Sequence, residues 1–189
     1  MTVSVSNLVQ GPATLYIGAF GATEPTSATA TPASASWTDL GGTTGGAEIA
    51  INQEYKELEV DQVVDVPGRR LVKRDIQVKT QLAEPTLQNL TYALNDGTYA
   101  SGATDNTYEP NNQSSATQPT YRAILIDGWA PGISGTTSKR RKVIVRRVLS
   151  IDNAVFAYKK DEQSVFTVTF AGHYVSDVLA SFKVIDQAN

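Results

Sequence analysis

His173 is the only histidine in a chain of 189 residues, and there is no cysteine. A Ser-His-Asp relay is arithmetically available, but no serine sits in the Gly-x-Ser-x-Gly turn that presents a nucleophile. A lone histidine of this kind is more often structural than catalytic. A zinc centre of the usual kind needs several His or Cys ligands, which the chain lacks. The missing cysteines also remove disulfides, thiolate metal sites and a thiol nucleophile together. Gly41-Gly42-Thr43-Thr44-Gly45-Gly46 is glycine-rich, but no Gly-Lys-Ser/Thr follows it and it leads into a strand pattern. A phosphate cradle needs amides at a helix N-terminus, so this run reads as a turn.

Two charge clusters remain. Glu48, Glu54, Glu57, Glu59, Asp61 and Asp65 crowd one region. A glycosidase needs two carboxyls opposed across a cleft, which neighbours on one hairpin supply poorly. Their spacing also misses the Asp-x-Asp-x-Asp-Gly pattern of a calcium loop. They read as a solvated acidic face, with Glu48, Asn52 and Glu54 sharing one side of a strand. Lys139, Arg140, Arg141, Lys142, Arg146 and Arg147 form the basic cluster, the best nucleic-acid signal in the chain. They alternate onto both faces of a strand, and no aromatic platform interleaves them as single-strand binding favours. Complementary fields set register and partner choice, so a role facing the six acidic hairpin residues, within one sheet or across a subunit boundary, is favoured over duplex binding, and the six basic residues are candidate subunit contacts. The net charge of −3 argues against a general nucleic-acid binder. The residues point to no enzyme, cofactor or metal.

The elements that position these clusters are mostly strands. From residue 46 to 83 the pattern is strand, Pro67-Gly68 turn, strand, each arm approaching twice the usual length of about 5–6 residues. In the second arm Val72, Ile76, Val78, Thr80 and Leu82 share one face, and Lys73, Asp75, Gln77, Lys79 and Gln81 the other. Ile49, Ile51 and Tyr55 fall out of phase with Leu58 and Val60, which predicts a bulge near Lys56-Glu57. The tip is apolar at Val63, Val64 and Val66, among Gln62, Asp65, Pro67, Gly68, Arg69 and Arg70. Such a projecting hairpin needs a cover, and another copy of the chain is the simplest one. Gln62 to Arg70 is the stretch of the hairpin that such a copy would cover.

The remaining chain predicts a single domain over 1–189. An N-terminal arm spans about 1–12. A flexible insertion of Ala, Thr, Ser and Pro, with too little apolar bulk to pack, spans about 22–36. A surface loop spans about 95–119 and a C-terminal arm or short helix about 173–189. Strands are expected at 14–19, 121–127, 139–151 and 164–171, ordered structure resumes at 37–40, and 130–138 is a loop. A helix starts after Glu84-Pro85, carries Leu87, Leu90 and Leu94 on one stripe and stops at Gly97. The fold class is mainly β: a β-sandwich or partly closed barrel with one short flanking helix and a long projecting hairpin. The first ten residues make no secretory signal and no apolar run reaches membrane length, so a soluble product made without export is expected.

Several of these runs resemble a known family. The Gly-Gly turn, the acidic long strand, Glu59-Val60-Asp61-Gln62, the alternating strand and Leu82-Ala83-Glu84-Pro85-Thr86-Leu87-Gln88-Asn89-Leu90 are similar to the major tail tube proteins of long-tailed bacteriophages. Gly11-Pro12-Ala13-Thr14-Leu15-Tyr16-Ile17-Gly18 fits as well. The likeness is best over residues 7–95. It implies a β-sandwich with a helix at its side, akin to type VI secretion tube proteins. It also implies six copies closing into a ring, rings stacking through the hairpin and arms, and a tube that conducts the genome into the host. The implied partners are further copies of the chain, a tape-measure protein, terminator or baseplate proteins, and double-stranded DNA that passes without specific binding; no membrane is involved. Assembly in the host cytoplasm and residence in the virion follow. The competing class is a secreted or surface β-sandwich binding carbohydrate or acting as an adhesin, and a carboxylate hydrolase ranks third.

Overall fold

The computed structural model describes residues 3–111, 115–134 and 137–188. Parts of the arms and loops expected from the sequence, at residues 1, 2, 112–114, 135, 136 and 189, lie outside the described residues. Among the described residues, ten strands and one helix follow a short 3-10 turn at Val5–Asn7. They are β1 (Thr14–Ala19), β2 (Trp37–Asp39), β3 (Thr43–Leu58), β4 (Gly68–Leu82), α1 (Leu87–Leu94), β5 (Thr98–Ser101), β6 (Asn106–Glu109), β7 (Arg122–Ser134), β8 (Thr137–Ser150), β9 (Phe166–Gly172) and β10 (Phe182–Asp186).

Eight strands form one antiparallel sheet in the order β2-β1-β7-β8-β9-β4-β3, with β10 also on β8; β5 and β6 pair separately. β2 and β3 are the outermost strands, yet only residues 40–42 separate them in sequence. The sheet therefore rolls so that its two edges approach, without closing. Leu40 N donates to Leu15 O on β1, and Gly42 O accepts from Ala83 N just past β4, so this link ties both sides of the seam. The roll encloses one core: Leu15 and Ile17, Ile76, Val78 and Leu82, Ile124 and Ile126, Val145 and Val148, and Phe166, Val168 and Phe170. Burying each of these side chains is worth about 1.5–3 kcal/mol.

α1 plugs one side of the roll through Leu90 and Ala93. Its start is set by Thr86, whose hydroxyl accepts a 3.1 Å hydrogen bond from Asn89 N. Its end is Asn95, in the left-handed region at φ 57°, not the expected Gly97. The amide of Asn95 also donates to Ser150 O (2.6 Å) and accepts from Ser150 N (2.7 Å), which binds the helix end to β8. That double anchor explains why a non-glycine residue terminates the helix. Leu94 is exposed, so the expected leucine stripe is carried by Leu87 and Leu90 with Ala93.

Four sequence expectations change. The loop expected at 95–119 contains the β5–β6 hairpin, whose Tyr108 donates its hydroxyl to Asp96 O and packs on the core. The loop expected at 130–138 is strand at 130–134 and 137–138, because Gly132 at φ 101° lets β7 bulge and stay paired to β8. The tail at 173–189 is neither helix nor free arm over 182–186. β8 outreaches β9, which takes only Val148–Ser150, so β10 fills the remaining edge at Arg141–Val145. Finally, the 22–36 segment packs. Ala28, Pro25 and Pro32 are buried, and polar anchors replace the apolar bulk it lacks.

Candidate assembly surface

β3 and β4 pair along their whole length, from Thr43↔Leu82 to Leu58↔Gly68. Only Gln77–Leu82 of β4 has a second neighbour, β9. Beyond Ile76 the hairpin leaves the body with both outer edges unpaired among the described residues. Burial changes at that point. Ile76, Val78, Thr80 and Leu82 are buried as the alternation predicts, whereas Val72 of the same phase is exposed. The expected bulge near Lys56-Glu57 lies on the partner strand. Glu54 pairs Lys73 and Tyr55 pairs Leu71, which leaves Val72 as the extra residue. A second irregularity puts Gly45 and Gly46, at φ 75° and 79°, out of the ladder between Thr44 and Ala47. Left-handed backbone at consecutive positions requires glycine, which accounts for the Gly-Gly pair.

The chain reverses over 59–67, held by Val63 N donating to Val60 O (3.1 Å). Pro67 therefore sits at the exit and Gly68 opens β4, rather than the two forming the turn. Tyr55, Leu58, Val60, Val63, Val64 and Val66 are all exposed, Val64 completely so at 106%. Gln62 and Asp65 lie between these valines, and Arg69 pairs Glu57 in an exposed ion pair (2.6 Å) next to Arg70.

Glu48, Asn52 and Glu54 do share one face. Their cross-strand partners are Lys79, Asp75 and Lys73. The sequence reading had the carboxylates without these lysines. A period of two placed each strand's own residues but not the register that sets Glu48 beside Lys79 and Glu54 beside Lys73.

The basic strand finds its acidic partners elsewhere in its own chain. Lys142 is buried at 1% exposure, and its Nζ donates to Asp127 Oδ2 (2.9 Å) and to Ala28 O (2.6 Å). Arg140 Nη2 lies 2.6 Å from the other oxygen of Asp127, an ion contact without hydrogen-bond alignment, and stacks over Trp129. Arg141 grips Asp186 of β10 through two 2.6 Å hydrogen bonds, which hold the Asp186 carboxyl below its ordinary range. Arg146 does the same to Glu24 and donates to Ala180 O; its hydrogen bond lowers the Glu24 carboxyl. Arg147 donates to Tyr174 O and stacks on Tyr121 at 3.8 Å. Lys139 is buried, with its chain against Gly132. Asp127, Glu24 and Asp186 were absent from the sequence reading. Two carried a signal: Asp127 closes the apolar run Ala123–Ile126, where a carboxylate demands a cation, and Glu24 is the sole charge in the 22–36 segment.

His173 packs edge-on against Tyr121 with ring centroids 5.4 Å apart, and its Nε2 is buried without a partner. Burial, then the nearby Arg147 charge, hold it below its ordinary value, so the ring is neutral. Among the described residues no cluster of His, Asp and Glu is placed to hold a metal ion. None of the described helices is long and apolar enough to cross a membrane.

The basic strand is thus tied within its own chain, and a long hairpin is left with bare edges and an apolar tip. No curated protein matches the chain. A family model described as Phage tail tube protein matches residues 4–187, nearly its whole length. The chain belongs to the phage tail tube protein family, a structural and non-enzymatic component of the virion tail.

Proposed function

We propose that this chain closes into rings of six that stack into the tail tube and conduct the phage genome into the host. The carrying observation is the distal hairpin: among the described residues it pairs with no strand beyond its own two, and it exposes Tyr55, Leu58, Val60, Val63, Val64 and Val66. An apolar surface of that kind marks an interaction site, and burying each valine against a neighbouring ring is worth about 1.5 kcal/mol. The tip from Gln62 to Arg70 is the stacking element in this reading. The six-fold count follows the family resemblance.

The face carrying Glu48, Asn52 and Glu54 lines the pore in this proposal. From Glu48 to Glu54 the carboxylates of Glu48, Glu54 and Asp75 stand against the amines of Lys73 and Lys79, and nearer the tip the same face adds Lys56 and Arg70. In this reading the stretch from Glu48 to Glu54 is the part of the wall whose carboxylates repel phosphates, over a Debye length of about 8 Å. The basic strand acts first inside the subunit, and its half-exposed Arg140 and Arg141 are the members left to meet a neighbour. Assembly over a tape-measure protein, with terminator or baseplate proteins at the ends and in the host cytoplasm, completes the reading.

Electron microscopy of the purified protein at high concentration tests it. Six-fold rings or tubes are expected. Monomers across the whole range, with and without a tail-assembly partner, overturn it.

A further inference from the structure

One mouth of the roll lies at a row of cross-strand partners, Ala19, Arg122, Val148 and Gly172, on β1, β7, β8 and β9. Partners share a face, and Val148 faces the core, so Arg122 places a cation in that mouth. It lines a cavity of about 370 Å³ bounded by β1, β2, α1 and the 22–36 segment. The guanidinium lies over the Tyr92 ring, 4.8 Å from its centroid, a stacking that leaves the edge of the fork free. Arg122 Nε is buried without a hydrogen-bond partner, and among the described residues Arg122 forms no ion pair. Arg140, Arg141 and Arg146 of the same sheet each hold a carboxylate. Among the described residues no acid lines the cavity, whereas Thr23, Ser34, Ser36 and Thr38 stand on its wall. That wall is fixed. Trp37 Nε1 donates to Thr23 O (2.8 Å), and the chain at Ser36 comes so near β1 that a Cβ on Gly18 would stand 2.7 Å from Ser36 O.

We infer that this mouth is a carboxylate-binding site with Arg122 as its cation. A buried donor without an acceptor, on an arginine without a counter-charge, is the complement of an oxyanion. One cation matches one negative charge. The side edge of the fork, Nε–H with one Nη–H, spans the two oxygens of a carboxylate, and the hydroxyls on the wall can donate to their remaining lone pairs. A cavity of this size admits a small acid or a single side chain, not a nucleic-acid duplex. The carboxylate is therefore carried by a free small acid or by an acidic side chain of another protein chain; both present the same two oxygens. The site does not rest on the ring reading and stands or falls apart from it.

The Nε–H resonance of Arg122 reads the site directly in nitrogen-15-labelled full-length protein, kept dilute enough to stay unassembled. Acetate is expected to shift it saturably, with chloride at equal ionic strength as the control. Arg122→Lys keeps the charge but lacks the fork, and is expected to weaken acetate binding by about tenfold, followed through the amides of Ser36 and Thr38. Arg122→Gln is expected to abolish it. The wild-type titration needs no variant, so a substitution that fails to fold leaves the inference testable. No saturable shift in the wild type, the same shift with chloride alone, or undiminished binding by a folded Arg122→Gln protein overturns it. Inorganic phosphate binding more tightly than acetate overturns the assignment to a carboxylate. Capped Gly-Glu-Gly and Gly-Gln-Gly peptides separate the two sources. Tighter binding of the glutamate peptide than of acetate or succinate, with none by the glutamine peptide, assigns the site to an acidic side chain; equal or tighter binding of the small acids assigns it to a free acid.

Discussion

Asp127 Oδ2 accepts a 2.9 Å hydrogen bond from Lys142 Nζ, and the same ammonium reaches Ala28 O at 2.6 Å. A buried lysine thus ties two neighbouring strands, β7 and β8, to the 22–36 segment that crosses over them. The two partners are not equally replaceable. Asp127 keeps Arg140 if Lys142 is lost, whereas Lys142 keeps only one carbonyl if Asp127 is lost. Asp127→Ala is therefore expected to cost about 3–5 kcal/mol, because it strands a buried charge. Lys142→Met is expected to cost less than about 2 kcal/mol. Urea unfolding midpoints at constant slope measure both.

Asn95 makes a second prediction separable into parts. Asn95→Gly keeps the left-handed backbone and loses both hydrogen bonds to Ser150, a loss of about 2 kcal/mol at roughly 1 kcal/mol each. Asn95→Ala loses the bonds and adds about 1 kcal/mol of backbone strain. Thermal melts that place alanine above glycine would show that the helix does not end in this conformation.

Acid should unfasten the outer ties. The Glu24 carboxyl is lowered from 4.5 by the Arg146 hydrogen bond, and the Asp186 carboxyl from 3.8 by the Arg141 hydrogen bond. Folded values below unfolded ones mean the stabilisation is complete above the unfolded values and is lost as pH falls through the folded ones. His173 acts in the same direction nearer neutrality: its lowered value makes protonation favour the unfolded chain as pH falls below 6.5. Stability measured against pH should fall below about 6.5 and again below about 4.5. Glu24→Gln should flatten the second fall; an unchanged profile would show that the Arg146 tie is not formed.

Replacing Gln62 to Arg70 by a short Gly-Ser turn is expected to leave the melting temperature within a few degrees of the wild type, since the core lies elsewhere. The same change is expected to abolish tube growth under the microscope. Normal tubes from the shortened protein would remove the tip from the stacking contact.

The strands that bury one face or two were readable from their residues. Thr14–Ala19 begins and ends where its pattern does, and Phe166, Val168 and Phe170 face the core together. The family was readable from the Glu59–Gln62 and Leu82–Leu90 runs, which lie on the hairpin and at the entry to α1. What escaped was set by tertiary context. Phe182 and Val184 carry too short an alternation to announce β10, and only the spare edge of β8 makes it a strand. The packing of Ala28 is tied to the Lys142 ammonium, more than a hundred residues away in sequence. Cross-strand register was equally hidden, so Lys73 and Lys79 did not appear beside Glu54 and Glu48.

The residue 40–42 link has a mechanical meaning. The rolled sheet is not sealed by a ladder between β2 and β3, but Asp39 and Thr43 are consecutive ends of those strands. A chain that short spans at most about 14 Å when taut. Once its hydrogen bonds to Leu15 and from Ala83 give way, covalent backbone stops the roll from opening further. Each subunit is thus a hoop with a short leash across its gap, and a load that spreads the roll at this point ends on covalent bonds.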